Sequence, residues 1–216
     1  MESKTKRMTA MAMLVAMAYI MAMIGRVPVV LFLKYDPKDI IITLGGLMYG
    51  PLTACIISVV VSLIQMVTTS STGIWGCIMN IISTCAFSCV AAFIYKKKRT
   101  LSGAVIGLLA GIISMASVML VWNYLIAPIY MGYPREAIVK LLLPAFLPFN
   151  LIKGGLNAAF TFMLYKPVTT ALRKTGYLSV SQNDTLQNKK PIGLWILSGI
   201  IIVTCVLLIL SMNEII

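Results

Sequence analysis

The 216-residue chain is 60% hydrophobic and only 11% charged, and several apolar runs reach about 18 residues, enough to cross a bilayer as helix. Such a surface cannot be solvated, which excludes a soluble domain and predicts an all-α polytopic membrane protein. The net charge of +12 does not read as nucleic-acid binding, because the basic residues cluster at the ends of apolar runs, as at Lys4–Arg7 and Lys96–Arg99, where membrane topology explains them.

Met8–Gly25 is the first expected span, its amino end held in the cytoplasm by the preceding KTKR. Ala12 with Ala16, and Ala18 with Ala22, form small-xxx-small pairs that let helix backbones approach closely. Packing within the protein and docking onto another membrane protein account for them equally well. Arg26–Asp39 reads as a polar connection, in which Pro37 restricts Asp36 to extended conformations and Asp39 is placed to cap the next helix. Ile40–Val67 is one apolar run interrupted by Gly50-Pro51. Counting Lys and Arg leaves one helix or two open; an inside amino terminus favours two, the first of about 11 residues and too short to cross.

Thr68–Gly73 reads as a loop and Ile74–Tyr95 as the next span, carrying Trp75 and Asn80. Ser102–Ile126 returns and ends in Trp122, Asn123 and Tyr124. After a connection over Ala127–Lys140 comes Leu141–Tyr165, where Pro144 and Pro148 oppose regular helix, although Pro148 is tolerated at a helix start. The expected organisation is a six-helix membrane domain over residues 1–175, a cytoplasmic linker over 176–191, and an extra transmembrane helix within 192–216.

The chain contains no histidine, no CxxC pair among its five cysteines and no GxxxxGK[ST]. These absences argue against a Ser-His triad, a zinc site and a P-loop ATPase, so no catalytic residue, metal or cofactor is expected. No carboxylate falls within a span as bounded above, which argues against an acidic proton relay. The exception to this apolar character is Pro148–Ala158, PFNLIKGGLNA, where Asn150, Lys153 and Asn157 share one helix face. Lys153 can snorkel outward, pair with Asp36 or Asp39, or donate to a ligand. With Asn80, Asn123 and nearby aromatic residues, it suits a flat heterocycle with a polar rim, since amides both donate and accept while an ammonium only donates.

At LKYDPKD (Leu33–Asp39), GLMYGP (Gly46–Pro51), STGIWGCIMN (Ser71–Asn80) and PFNLIKGGLNA, the chain resembles the riboflavin-specific substrate-binding (S) components of energy-coupling factor (ECF) transporters, over roughly its first 175 residues. The resemblance implies a six-helix bundle in a bacterial plasma membrane that takes riboflavin from outside. A transmembrane coupling (T) protein and two ATPase subunits would power import, and the flavin would be cargo, not cofactor. It further implies that Asn150, Lys153 and Asn123 contact the isoalloxazine ring, that the loop at Tyr35 and Asp36 covers the site, and that Asn80 lines it. Ala12 and Ala16 would face the coupling protein. Two features depart from the pattern. The helix from Ile192 has no counterpart in a six-helix S component, and Lys34 and Lys38 make the covering loop basic enough to leave riboflavin phosphate (FMN) open. The alternatives are an S component for folate or thiamine, or a membrane scaffold without transport.

Overall fold

Apolar runs in lipid must satisfy their backbone internally, and here they do so almost entirely as helices. The computed structural model describes residues 4–30, 33–69, 73–177 and 192–212. Helix α1 (Lys4–Ile24) buries Ala10, Leu14, Ala18 and Ala22 against the bundle, a stripe repeating every four residues. Ala12 and Ala16 lie on its exposed side. The two alanine pairs therefore part company: Ala18 and Ala22 pack internally, whereas Ala12 and Ala16 are left to the surroundings.

The connection read as polar loop is a short antiparallel hairpin, β1 (Val27–Val30) and β2 (Leu33–Tyr35), with Val27 opposite Tyr35. Its valines favour the extended backbone. Helix α2 (Lys38–Tyr49) then enters the centre of the bundle, with every residue from Lys38 to Leu47 buried. At 1.5 Å per residue it is about 18 Å long, too short to cross. The break falls where expected, at Gly50, whose φ of 102° suits a residue without a Cβ, and Pro51 opens α3 (Pro51–Thr68) at a position that needs no amide hydrogen.

The expectation that Asp39 caps α2 does not hold. The helix begins two residues earlier than read, so Asp39 is inside its first turn, and Asp36 Oδ1 instead accepts from the Lys38 amide at 3.2 Å. The same shift puts Asp39 inside a helix of the bundle, whereas the spans as bounded from sequence held no carboxylate.

Helices α4 (Gly73–Lys97) and α5 (Leu101–Leu125) cross closely, because a Cβ on Gly107 or Gly111 would come within 2.7 Å of the Ala91 or Phe87 carbonyl oxygen. Two short helices, α6 (Ala127–Met131) and α7 (Arg135–Leu141), occupy the following connection. Pro144 sits in a π-helical turn (Leu142–Phe146), whose wider winding accommodates a residue with no amide hydrogen. Helix α8 (Leu147–Lys174) follows and runs past Pro167, beyond the end expected near Tyr165. Around that proline, Thr169 Oγ1 donates to the Tyr165 carbonyl at 2.7 Å and Thr170 Oγ1 to the Lys166 carbonyl at 2.8 Å. The stretch expected to be a flexible linker, Ser179–Lys190, lies outside the described residues.

Helix α9 (Ile192–Met212) packs along α8. Among the described residues, five helical segments are long and apolar enough to cross a membrane, and α9 is apolar over Ser198–Ser211. The bundle has a basic end, where Arg7 donates to the Tyr49 carbonyl beside the α2–α3 break, and a hairpin end, closed by β1–β2 with α6 and α7.

Candidate ligand cavity at the hairpin end

The polar residues of the apolar helices converge beneath the hairpin. Because Asp39 occupies the first turn of α2, its carboxylate meets α4 and α8: Thr84 Oγ1 donates to Oδ1 at 2.7 Å, Lys153 Nζ lies 3.0 Å from Oδ2, and Asn157 Nδ2 donates to Oδ2 at 3.5 Å. A wholly buried carboxylate is stable only with such partners. Lys153 Nζ also donates to Ser83 Oγ at 3.3 Å. An ammonium has three hydrogens, so one remains for the cavity that Lys153 lines.

A second layer sits above this one. Lys38, completely buried, donates to Gln65 Oε1 and stands 3.4 Å from Asp36 Oδ2, while Gln65 Nε2 donates to the same oxygen at 3.2 Å. Arg26 Nε approaches it at 3.6 Å from a partly exposed position. Lys38 therefore adds nothing to the basicity of the cavity mouth, contrary to the sequence reading; Lys34 and Arg26 are the cations lining the cavity on that side.

The cavity has a volume of about 210 Å³. Asn80, Asn123, Asn150, Lys153 and Asp36 all line it, so five of the six residues singled out for binding come together. Tyr35 does not line it. Its hydroxyl donates to Asn157 Oδ1 at 2.9 Å, tying the hairpin to α8 from below. Burial, and then the charges of Asp39 and Asp36, push that phenol well above its ordinary pKa, so it remains a neutral donor. Asn123 and Asn150 each donate Nδ2 to the carbonyl four residues back, Met119 at 2.8 Å and Phe146 at 2.7 Å. Each amide keeps its oxygen and a second hydrogen for a ligand.

Tyr130, Phe146 and Phe149 supply aromatic surface to the cavity. Trp75, Tyr124 and Tyr133 are exposed on the outside of the bundle, as interfacial aromatics would be. Ser62, Gln65 and Ser83 line the cavity and were not anticipated. The legible signal was Gln65, the one amide in the apolar run of α3.

An apolar helical bundle with a donor-and-acceptor cavity beneath the hairpin is the architecture of a membrane protein that captures a solute. Residues 6–165 match the family of ECF transporter substrate-specific components, and the chain belongs to that family. The riboflavin transporter FmnP of Bacillus subtilis (strain 168) is 28% identical over 164 residues, covering 70% of this chain and 85% of that protein. The riboflavin transporter RibU of Staphylococcus aureus (strain TCH60) is 24% identical over 180 residues, covering 79% and 94%. A solved S component of a bacterial ECF transporter superposes with a TM-score of 0.68 at 24% identity, over 79% of this chain and 99% of that one. The fold is that of an all-α S component carried in the membrane.

Proposed function

We propose that this protein captures riboflavin from outside a bacterial plasma membrane, with its amino terminus in the cytoplasm and the hairpin end facing outward. The basic end supports that orientation, since cytoplasmic loops hold the excess of Lys and Arg. The observation that carries the ligand assignment is the meeting of Lys153, Asn150 and Asn123 in one cavity beside Phe146 and Phe149. Its donors and acceptors match the rim of an isoalloxazine, and its aromatic faces match the ring plane. Two relatives named as riboflavin transporters support the same choice.

The cavity is smaller than the roughly 300–1,000 Å³ of most ligand sites, so a three-ring ligand needs the hairpin to move and leaves its side chain toward the mouth. Arg26 and Lys34 stand there, which favours FMN as a second ligand. No chemistry on the vitamin is required. A coupling T protein and two ATPases supply the energy, and the exposed Ala12 and Ala16 of α1 offer a surface for close helix approach to the T protein. A panel of riboflavin, FMN, folate and thiamine tests the assignment: flavins quench the protein's tryptophan fluorescence saturably and the others do not. Binding of folate or thiamine in preference to flavin overturns it.

A further inference from the structure

Helix α9 lies beyond residue 165, where the family match ends, yet it is not a detached tail. Cys205 Sγ stands 4.0 Å from the Ile152 carbonyl of α8, and a Cβ on Gly155 would lie 3.3 Å from that sulfur. The bare backbone at Gly155 eases this close approach, since a side chain there would press on α9. In lipid, such contact gains little from hydrophobicity and depends on close packing at small residues.

The same stripe of α9 reaches further than α8. Ile201, Cys205 and Ile209 join one apolar cluster with Ile152 and with Val29 of the hairpin, and Val29 is only 1% exposed. Ile152 adjoins Lys153 in sequence, so α8 presents one side to the cavity and the neighbouring side to α9. A lone two-stranded hairpin is marginal by itself and needs an apolar surface to rest on.

We propose that α9 is a buttress of the binding site, holding the hairpin against α8 and so slowing the departure of bound ligand. The ligand part of this inference rests on the riboflavin reading; the mechanical part does not. In the full chain, Gly155→Leu drives a wedge between α8 and α9, and Ile201→Ala with Cys205→Ala removes the contact without a clash. Both variants should raise amide hydrogen exchange in Val27–Val30 and Leu33–Tyr35 and speed riboflavin dissociation about tenfold, equivalent to about 1.4 kcal/mol, with association no slower, since entry also needs the hairpin to move.

Gly155→Cys, in a chain whose Cys55, Cys77, Cys85 and Cys89 are replaced by alanine, should form a disulfide with Cys205. The S–S bond forms as the two thiols release two protons to the buffer and one electron to each of two added copper(II)–phenanthroline complexes. The cross-linked protein should hold riboflavin at least as long as the reduced one. Failure to cross-link in membranes, or unchanged hydrogen exchange in both packing variants, overturns the buttress. If the unaltered chain binds no riboflavin, the vitamin assignment fails, while hydrogen exchange still decides the role of α9.

Discussion

Lys153 Nζ lies 3.0 Å from Asp39 Oδ2, with the two side chains 8% and 0% exposed. The pair fastens α8 to α2 and aims the lysine's remaining hydrogen at the cavity. Removing one partner from a buried pair typically costs about 3–5 kcal/mol, because it strands the other charge. Lys153→Met should therefore lower both the thermal midpoint in detergent and riboflavin affinity. Adding Asp39→Asn should restore much of the midpoint without restoring affinity, since the cavity still lacks its ammonium. Thermal unfolding and ligand titration on the same preparations check both halves.

Tyr35 separates support from contact in a different way. Tyr35→Phe deletes the bond to Asn157 and should cost about 1 kcal/mol of stability, with riboflavin affinity changed less than threefold. Asn150→Leu removes polar groups from the cavity wall and should weaken riboflavin about tenfold or more, or 1.4 kcal/mol. Equal effects from the two substitutions would mean that Tyr35 reaches the ligand.

The alanines of α1 make opposite predictions two residues apart. Ala18 is wholly buried, and Ala18→Leu should destabilise the bundle by about 1–3 kcal/mol through overpacking. Ala16 is exposed, so Ala16→Leu should leave riboflavin binding intact while reducing co-purification with a T protein and uptake in cells. Loss of binding in the Ala16 variant would remove α1 as the docking face.

Charge at the mouth should discriminate the phosphorylated vitamin. Neutralising Arg26 and Lys34 to glutamine should weaken FMN more than riboflavin, and the difference should shrink as salt screens the exposed cations. Parallel titrations of both flavins at low and high ionic strength measure it.

Much of this arrangement is legible in the residues because it depends on local chemistry. Gly50-Pro51 splits the α2–α3 run through a positive φ and a missing amide hydrogen, and Pro148 marks the start of α8 to within one residue. Asn150, Lys153 and Asn157 share a face by helical period alone. Placing α2 two residues late hid Asp39 from the bundle, which left the partner of Lys153 open among three candidates. The hairpin needed register that its short strands do not announce. Gly107 and Gly111, spaced by four, carried a packing signal whose partner carbonyls on α4 appear only in three dimensions. The approach of α9 to α8 at Gly155 and Cys205, a pair 50 residues apart in sequence, is likewise visible only in three dimensions.

The most direct measurement is riboflavin titration of the purified full-length protein, followed by tryptophan fluorescence and by the absorbance of co-purified flavin. A yellow preparation is expected, with saturable quenching at or below micromolar riboflavin, one flavin per chain, and loss of that binding in Lys153→Met. A colourless protein with no saturable quenching at micromolar riboflavin, or full affinity in the Lys153 variant, would contradict it.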